Sequence, residues 1–411
     1  MIIAHTLAPC THLGGTGGPI DVTIFRTFSN GADRFLVHTA DVYDLSFLDG
    51  DDRLIVQGGV TTAHMGGGND FVRVDFGTAT LFGDAGADRF DLYASGTTVD
   101  GGEGNDTFNV RGGDSHPLSG GLGDDRFNFL AGANSELLHG GDGNDLFVGY
   151  GRSVGGSIYG DAGNDRFYDF ANVGGRSVTL HGGSGNDIYR ISSANGPGIV
   201  ENAGEGTDTV QIAAGLDYTL GANLENLTVI GSTTNVQPQV LTGNDLANRI
   251  TGGSRNENIH GGGGNDVLSG AGGEDVIYGG DGNDRIIGGL GMDYLVGGAG
   301  SDRFIYTSIA DAPSNGPMGL EFITDWQSID RIDLSAIDAD PLTPGDQAFI
   351  ISDIAFGFPA GPQPAGSVVL AGFGGELYVN VFLAGGADPD MIISLWSQAG
   401  EGALTRDSLI L

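Results

Sequence analysis

The sequence has a single cysteine, Cys10, and no lysine, so all 17 basic residues are arginines. One cysteine excludes an intrachain disulfide, and a chain that works outside the cell without disulfides needs another staple, commonly a metal. No run of about 18 apolar residues occurs, so no membrane span is predicted. Residues 1–10 also lack the basic segment and long apolar core of a secretory signal peptide.

Acidic residues dominate the charge, because 53 of them give a formal net charge of -36. Only ten are Glu, so most of the carboxylates sit on the short Asp side chain. Such a surface repels nucleic acid and anionic membranes, which argues against nucleic acid as a partner. A compact state needs a cation, and an Asp close to a tight turn is a good ligand for a hard one. The 77 glycines come with only 13 prolines, which excludes collagen.

Residues 243–305 divide without a gap into seven nonapeptides. The last five read GGGGNDVLS, GAGGEDVIY, GGDGNDRII, GGLGMDYLV and GGAGSDRFI. Position six is Asp266, Asp275, Asp284, Asp293 and Asp302, and position eight is Leu268, Ile277, Ile286, Leu295 and Phe304. The two preceding units have Asn248 and Glu257 at position six. Consecutive units in one register indicate a repeat architecture.

The first half carries the same loop at a doubled interval of 18 to 22 residues. The recurring aspartates are Asp33, Asp52, Asp70, Asp88, Asp106, Asp125, Asp145, Asp165, Asp187 and Asp208. The segment GGEGNDTFN, residues 101–109, is a full GGxGxD match, whereas the loops of Asp33 and Asp52 lack the leading glycine pair and are weak candidates for a metal. The nonapeptides between these loops keep only a short apolar strand.

Each unit predicts a tight glycine turn followed by a short strand, whose position-eight side chain points inward. Two nonapeptides make one coil, and coils stack about 4.8 Å apart. The stack buries a core that a single thin coil cannot bury. The predicted interior ladder of the first half is Val72, Phe90, Phe108, Phe127, Phe147, Phe167 and Tyr189, facing Leu81, Val99, Leu118, Leu138, Ile158 and Leu180.

Stacking also places the position-six aspartates about 5 Å apart along one edge. Such a row of like charges destabilises the fold unless a cation lies between adjacent loops. Turn carbonyls add hard oxygens, which suits Ca²⁺, and no thiolate or imidazole cluster is offered to Zn²⁺. We predict several calcium ions, held by Asp70, Asp88, Gly101, Gly102, Gly104, Asp106, Asp125, Asp145, Asp165, Asp187, Asp208, Gly261, Asp266, Asp275, Gly279, Asp284, Asp293 and Asp302.

These nonapeptides resemble the repeats-in-toxin (RTX), or haemolysin-type, calcium-binding repeat over roughly residues 29–411. Residues 201–231 resemble the linker strand pair of such proteins, and residues 322–338 the start of a serralysin-type C-terminal cap. The resemblance implies calcium bound by position-six aspartates and turn carbonyls. It also implies secretion through a type I exporter that reads an uncleaved C-terminus, and an extracellular or cell-surface location. The ending Asp407, Ser408, Leu409, Ile410 and Leu411 is similar to that export signal.

The predicted fold is all-β: a parallel β-roll (β-solenoid) in two stacks with a mostly β C-terminal cap. Residues 1–28 form an N-terminal lead-in, and residues 29–210 form a first β-roll with one calcium edge. Residues 211–242 form connector strands, and residues 243–305 form a second β-roll with both edges active. Residues 306–411 form the cap and carry the secretion signal.

Catalytic motifs are weak in this sequence. HExxH is absent, and a P-loop is impossible without lysine. The single GxSxG, residues 151–155, lies between repeat turns rather than at a strand-to-helix elbow. His64, His139 and His181 each precede a glycine turn and are expected on one outer face, as a surface stripe or, alternatively, a transition-metal site.

The leading hypothesis is a non-enzymatic, secreted, calcium-folded structural, matrix or adhesion module, with cell-surface or matrix polysaccharide as a candidate partner. One alternative is a polysaccharide-active enzyme with its site on the first β-roll, and another is the non-catalytic tail of a larger secreted toxin or hydrolase. A surface groove with convergent Asp, Arg and Tyr away from the calcium edge would favour the enzyme.

Overall fold

The computed structural model describes residues 23–38, 41–113, 116–130, 133–150, 154–172, 176–232, 237–312, 321–339, 349–356, 362–373, 376–383, 388–396 and 404–411. These residues form an all-β parallel solenoid of about 16 turns with a β-rich C-terminal region, which confirms the predicted fold class. Two short 3-10 turns, Ile309–Asp311 and Arg406–Ser408, are the helical elements of the described ranges. No helix in those ranges has the length and apolarity needed to cross a membrane.

One face of the solenoid, face A, runs the whole length of the stack. Its strands are Arg34–Val37, Arg53–His64, Phe71–Phe82, Arg89–Leu92, Thr107–Val110, Arg126–Phe129, Leu146–Val148, Arg166–Tyr168, Ile188–Ile191, Thr209–Ala213, Asn226–Ile230, Arg249–Thr251, Val267–Gly272, Arg285–Leu290, Arg303–Ile305, Arg331–Asp333 and Leu409–Ile410. Thr209–Ala213 and Asn226–Ile230 pair with each other and with the strands on either side. Face A therefore crosses the predicted connector without a break, and the domain boundaries stay a prediction.

The opposite face, face B, has two parts. The first contains Thr23–Thr27, Val42–Ser46, Thr98–Glu103, Leu118–Leu122, Ala133–Asp142, Val154–Ala162, Val178–Ser184 and Gly198–Val200. The second contains Tyr218–Thr219, Gln239–Thr242, Glu257–Gly263, Val276–Asp281, Tyr294–Ala299 and Glu321–Ile323. The long strands Arg53–His64 and Phe71–Phe82 bend across both faces, since their first halves pair on face A and their second halves on face B.

The core lies between the two faces, and every member of both predicted interior ladders is buried. In the first roll, five successive aromatic pairs from Phe90 to Tyr189 stack with ring centroids 4.5 to 5.1 Å apart. This spacing follows from the strand spacing, because flat rings one coil apart are already in van der Waals contact. The second roll places Leu268, Ile286 and Phe304 in the same column.

The C-terminal region closes the end of the stack. Met391–Leu395 pairs in parallel with Glu321–Ile323 of face B and antiparallel with Glu376–Phe382. Ser367–Phe373 continues the antiparallel sheet, and Ile350–Phe356 pairs with it in parallel. The added strands cover backbone groups that the last coil of the solenoid would otherwise leave unpaired.

Candidate metal centres along the coil edges

The position-six acids form columns at the two edges where the chain passes between the faces. Edge one precedes the face A strands and contains Asp52, Asp70, Asp88, Asp106, Asp125, Asp145, Asp165, Asp187, Asp208, Asp266, Asp284 and Asp302. Edge two precedes the face B strands of the second roll and contains Glu257, Asp275 and Asp293. All these side chains are buried, which sets them apart from ordinary surface acids.

One oxygen of each aspartate holds the register of the stack. The backbone N–H of Asp125 donates to Asp145 Oδ1 at 2.7 Å, and that of Asp266 donates to Asp284 Oδ1 at 2.8 Å. The same bond links every neighbouring pair of edge one from Asp52 to Asp208, at 2.6 to 2.8 Å. The column is therefore a continuous ladder in which each carboxylate caps the preceding loop.

The other oxygen, Oδ2, has no hydrogen-bond partner among the described residues. This holds for Asp52, Asp70, Asp88, Asp106, Asp125, Asp145, Asp165, Asp187, Asp266, Asp275, Asp284, Asp293 and Asp302. An isolated buried polar oxygen is unfavourable, and an ionised one far more so. The repetition of the same orphan oxygen in these thirteen loops fits binding of a cation better than a local packing fault.

The surroundings of these orphan oxygens fit Ca²⁺. A Cβ added at Gly101 would overlap both Asp106 Oδ2 and the carbonyl oxygen of Gly120 in the next coil. Gly261 has the same two kinds of neighbour, Asp266 Oδ2 and the Gly279 carbonyl oxygen. Carboxylate and carbonyl oxygens thus converge at the first glycine of most loops, and these hard donors are the ones calcium prefers. Bound calcium would supply the positive charge that the columns lack.

The remaining glycines of the motif are required by stacking as well as by the turn. Gly102 and Gly104 have φ of +102° and +125°. A Cβ at either position would overlap a carbonyl oxygen of the preceding coil, that of Asp84 or of Gly86. The predicted site glycines therefore let adjacent loops approach closely enough to share an ion.

Burial raises the pKa of the column carboxyls, because the charged form loses water, and neighbouring carboxylates raise it further. The pKa of Asp88, Asp125 and Asp165 rises to about 8, and that of Asp266 and Asp284 to about 6. Hydrogen bonds from the preceding loops oppose the shift. Without a metal the columns bind protons near neutral pH, so protons and calcium compete for the same oxygens.

Asp33 and Asp52, which the sequence grouped together, differ in the structure. Asp33 Oδ2 accepts hydrogen bonds from Ser29 N and Ser29 Oγ at 2.8 and 2.7 Å, so this carboxylate is satisfied. Asp52 is 2% exposed and its Oδ2 has no partner among the described residues. The series of unpartnered oxygens therefore begins at Asp52, although the backbone N–H of Asp33 donates to Asp52 Oδ1 at 2.5 Å. The 18-residue spacing to Asp70 was the signal for Asp52 despite the absent glycine pair.

Two acids from the cap that the site prediction missed complete the columns. The backbone N–H of Asp293 donates to Glu321 Oε2 at 3.0 Å, and that of Asp302 donates to Asp330 Oδ1 at 3.1 Å. Both acids are 1% exposed, and Glu321 Oε1 has no partner among the described residues. They escaped the nonapeptide pattern because each follows its predecessor by 28 residues instead of 18.

A second ladder, also missed, runs along position five. The backbone N–H of Asn164 donates to Asn144 Oδ1 at 2.9 Å, and that of Asn186 donates to Asn164 Oδ1 at 2.7 Å. Position-five side chains accept from the following coil, whereas position-six aspartates accept from the preceding one. Neighbouring loops are therefore tied in both directions. The recurrent Asn-Asp pair in the loops was the available signal.

The histidines lie on the outer side of face B, in the register expected for a stripe. His139 and His181 sandwich the ring of Tyr159 at 4.9 and 4.4 Å, and His64 stacks on Phe82 at 4.3 Å. Within the described ranges, none of these histidines belongs to a cluster of three metal-ligating side chains. Ser153 of the GxSxG segment lies outside the described residues.

Comparison with known families and proteins agrees with this geometry. The model of the RTX calcium-binding nonapeptide repeat (4 copies) matches residues 65–94, 98–116, 130–151, 157–168, 169–190, 242–277, 251–286 and 269–304. A stretch of 56 residues is 52% identical to the endo-1,3-1,4-beta-glycanase ExsH of Rhizobium meliloti (strain 1021), covering 14% of this chain and 11% of that protein. RTX repeats are calcium-binding, and the matched segments show that this chain carries the RTX calcium-binding nonapeptide repeat.

Proposed function

We propose that the protein is secreted, folds when calcium binds outside the cell, and serves there as a structural, matrix or adhesion module. The observation that carries this proposal is the column of buried carboxylates with unpartnered oxygens. Calcium binds the stacked loops and not the extended chain, so binding shifts the equilibrium toward the folded state. Low calcium inside the cell would keep the acidic chain unfolded until it leaves.

Circular dichroism tests the folding step. We expect a strong β signal in millimolar calcium and its loss in excess chelator, with magnesium at the same concentration as the ion control. Magnesium should restore little structure, because it gives up its water ligands reluctantly. The same β signal in chelator and in calcium would contradict the proposal.

An arginine column on the outer side of face A supports polysaccharide as a partner. Its members share one register position: Arg34, Arg53, Arg89, Arg126, Arg166, Arg249, Arg285, Arg303 and Arg331. Several neighbours in the column are two coils apart, about 9.6 Å. A regular cationic row on a chain of net charge -36 complements an anionic polymer, here an acidic polysaccharide.

Calorimetry against acidic and neutral polysaccharides, in saturating calcium, tests that partner. Arg249 and Arg285 form no ion pair with a carboxylate within the part of the chain that the structure describes. We therefore expect R249Q/R285Q to weaken binding of the acidic polymer and to reduce its salt dependence. Arg26→Gln on face B is the matched control. Equal binding of the acidic polymer by R249Q/R285Q and by R26Q would contradict the proposal that the arginine column is the binding surface.

A polysaccharide-active enzyme is the second candidate, and two observations favour it. One is the stretch shared with a protein named as a glycanase. The other is a convergence of Asp91 with Arg89, Arg111 and Tyr93 on face A of the first roll. However, Asp91 is 8% exposed and also accepts a hydrogen bond from Asn109 Nδ2 at 2.8 Å, so this set suits binding better than proton transfer. Release of reducing ends from a mixed-linkage glucan would establish that the protein is a polysaccharide-active enzyme.

Export is proposed to use a type I exporter that reads the C-terminal residues. Leu409–Ile410 pairs with Arg331–Asp333, so deleting the terminus would disturb folding as well as export. Asp407 and Leu411 are exposed and can be replaced together without removing a strand. We expect D407A/L411A to be exported poorly while keeping its β signal in calcium, with Asp388→Ala as the exposed control. Undiminished export of the double variant would contradict the assignment.

A further inference from the structure

The regular loop pattern of edge one breaks at the end of the first roll. His181 pairs with Val200, so the next residue, Glu201, occupies the register position of Gly182. In the preceding coils that position is a glycine: Gly83, Gly101, Gly120, Gly140, Gly160 and Gly182. A glutamate at the first loop position is therefore a specific departure, at the place where the repeat motif stops.

The Glu201 side chain points into the edge rather than into solvent. Glu201 is 5% exposed, its Oε1 accepts a hydrogen bond from the Tyr189 hydroxyl, and its Oε2 has no partner among the described residues. Asp187 and Asp208 are each 1% exposed, and Asp187 Oδ2 is also unpartnered there. One carboxylate oxygen from each of the three acids lies within 4.8 Å of the others.

Comparison with a regular coil shows what Glu201 replaces. A Cβ at Gly160 would overlap Asp165 Oδ2 and the carbonyl oxygen of Gly182. A Cβ at Gly182 would instead overlap Asp187 Oδ2, the Tyr189 hydroxyl oxygen and Glu201 Oε1. A carboxylate oxygen thus lies where regular coils present a neutral carbonyl oxygen, and a third negative charge joins the two aspartates.

We propose that Asp187, Glu201 and Asp208 form a separate calcium site that closes edge one of the first roll and binds the ion more tightly than the regular sites. This inference rests on the calcium binding proposed above for the regular columns. Calcium affinity increases with the number of charged ligands, and three buried carboxylates offer a formal charge of -3 to one ion. Tyr189 is the positioning residue, since its hydroxyl orients Glu201.

The same arrangement gives the site a spectroscopic signature. Tb³⁺ takes the place of Ca²⁺ among oxygen ligands, and its third positive charge suits a site with three carboxylates. Its luminescence is sensitised by an aromatic ring close by. The Tyr189 ring carries the hydroxyl that is bonded to Glu201, so an ion held by Glu201 lies close to that ring.

The test titrates Tb³⁺ into calcium-free wild-type protein and into Glu201→Gln, Tyr189→Phe and the control Glu205→Gln. Glu205 lies in the same loop and its carboxylate accepts hydrogen bonds from Asn202. We expect the first-filled site of the wild type and of E205Q to emit on tyrosine excitation. E201Q should lose that emission and bind its first calcium roughly tenfold or more weakly. Y189F should lose the emission but keep the calcium stoichiometry.

Calcium stoichiometry and affinity measured on the same variants separate this proposal from the general one. If the regular columns bind no calcium, the wild type binds at most one ion, at the proposed site. If only this site is wrong, the wild type binds calcium and E201Q matches it in stoichiometry, first affinity and emission. A far-ultraviolet β signal of E201Q in saturating calcium shows that the variant folds. If E201Q does not fold, retention of the first-site emission in Y189F overturns the assignment.

Discussion

The two rolls are built from the same loop, but the first uses it at one edge and the second at both. In the second roll, position-six residues of each edge follow one another by 18 residues. In the first roll the corresponding interval grows from 18 to 22 residues. Most of the additional residues lie at the opposite edge, for example between Tyr168 and Val178, but two of them lie at edge one, between Glu201 and Asp208. An edge without an acid column therefore tolerates insertions more readily than an edge with a buried acid in nearly every loop.

The core side chains of the two rolls differ in the opposite sense to the acid columns. The first roll stacks Phe108, Phe127 and Phe147 with ring centroids 4.5 and 4.8 Å apart. The second roll fills the same column mostly with Leu268 and Ile286. The roll with fewer motif loops per coil therefore buries larger side chains, and we expect the roll with twice the number of loops to depend more on calcium.

Chelation should have the largest effect and should affect the second roll first. As free calcium falls, we expect backbone amides of Val276–Asp281 and Arg285–Leu290 to lose hydrogen-exchange protection before those of Thr107–Val110 and Arg126–Phe129. The second roll has a carboxylate column at both edges and a smaller aromatic core. Hydrogen exchange with mass spectrometry at graded calcium concentrations measures the order. Simultaneous loss in both rolls would show that they unfold as one cooperative unit.

Phe127→Ala should produce the next largest effect. The ring is fully buried and stacks on both neighbours, so its removal leaves a cavity inside the ladder. We expect a loss of about 3–5 kcal/mol in the free energy of unfolding, measured with denaturant in saturating calcium. Ile286→Val in the second roll is the control and should cost about 1 kcal/mol. Similar losses of unfolding free energy in the two variants would indicate that the aromatic ladder adds no particular stability to the first roll.

Acid should partly replace calcium, and it should begin to do so at a higher pH in the first roll than at edge one of the second. Folded-state pKa values in the first roll range from about 6 for Asp106 to about 8 for Asp88 and Asp165, whereas they are raised only to about 6 for Asp284 and Asp302. Because the folded state holds these protons more tightly than the unfolded chain, metal-free stability increases as pH falls and is lost as pH rises through those values. Hydrogen exchange in chelator between pH 8 and 5 tests the order, and protection that increases with pH would contradict it.

Replacing one aspartate by asparagine should have the smallest effect, and a different one in each roll. Asparagine keeps the Oδ1 acceptor that Asp145 offers to Asp125 and removes one ligand charge. Asp145→Asn interrupts the one column of buried position-six acids among the described residues of the first roll, whereas Asp284→Asn leaves edge two of the second roll intact. We expect D145N to shift the calcium midpoint of folding about tenfold, equivalent to roughly 1.4 kcal/mol, and D284N to shift it less. A larger shift of the calcium midpoint for D284N than for D145N would contradict the expected difference between the two rolls.

Much of the candidate site's geometry could be predicted from local sequence, because the acids of its columns belong to one short motif. Asp106, Asp145 and Asp284 were assigned from a nine-residue pattern, and the structure places each in a buried column. A parallel coil has a fixed rise, so residues one period apart in sequence are neighbours in space. The position-eight ladder followed from the same periodicity.

The amino-acid sequence alone determined the repeat, the glycine turns and the alternation that buries position eight. It also determined the negative charge, which a cation must neutralise. The tertiary structure decided where the columns end and what lies beside them. Glu201, Glu321 and Asp330 enter the edges from segments outside the nonapeptide register. Asp33 stays in the ladder through its backbone N–H, but its Oδ2 is satisfied by Ser29. No local sequence pattern identifies those residues, because their position depends on how loops of unequal length stack. A hydrogen-bond partner several residues or a whole coil away is fixed only when the coils are in place.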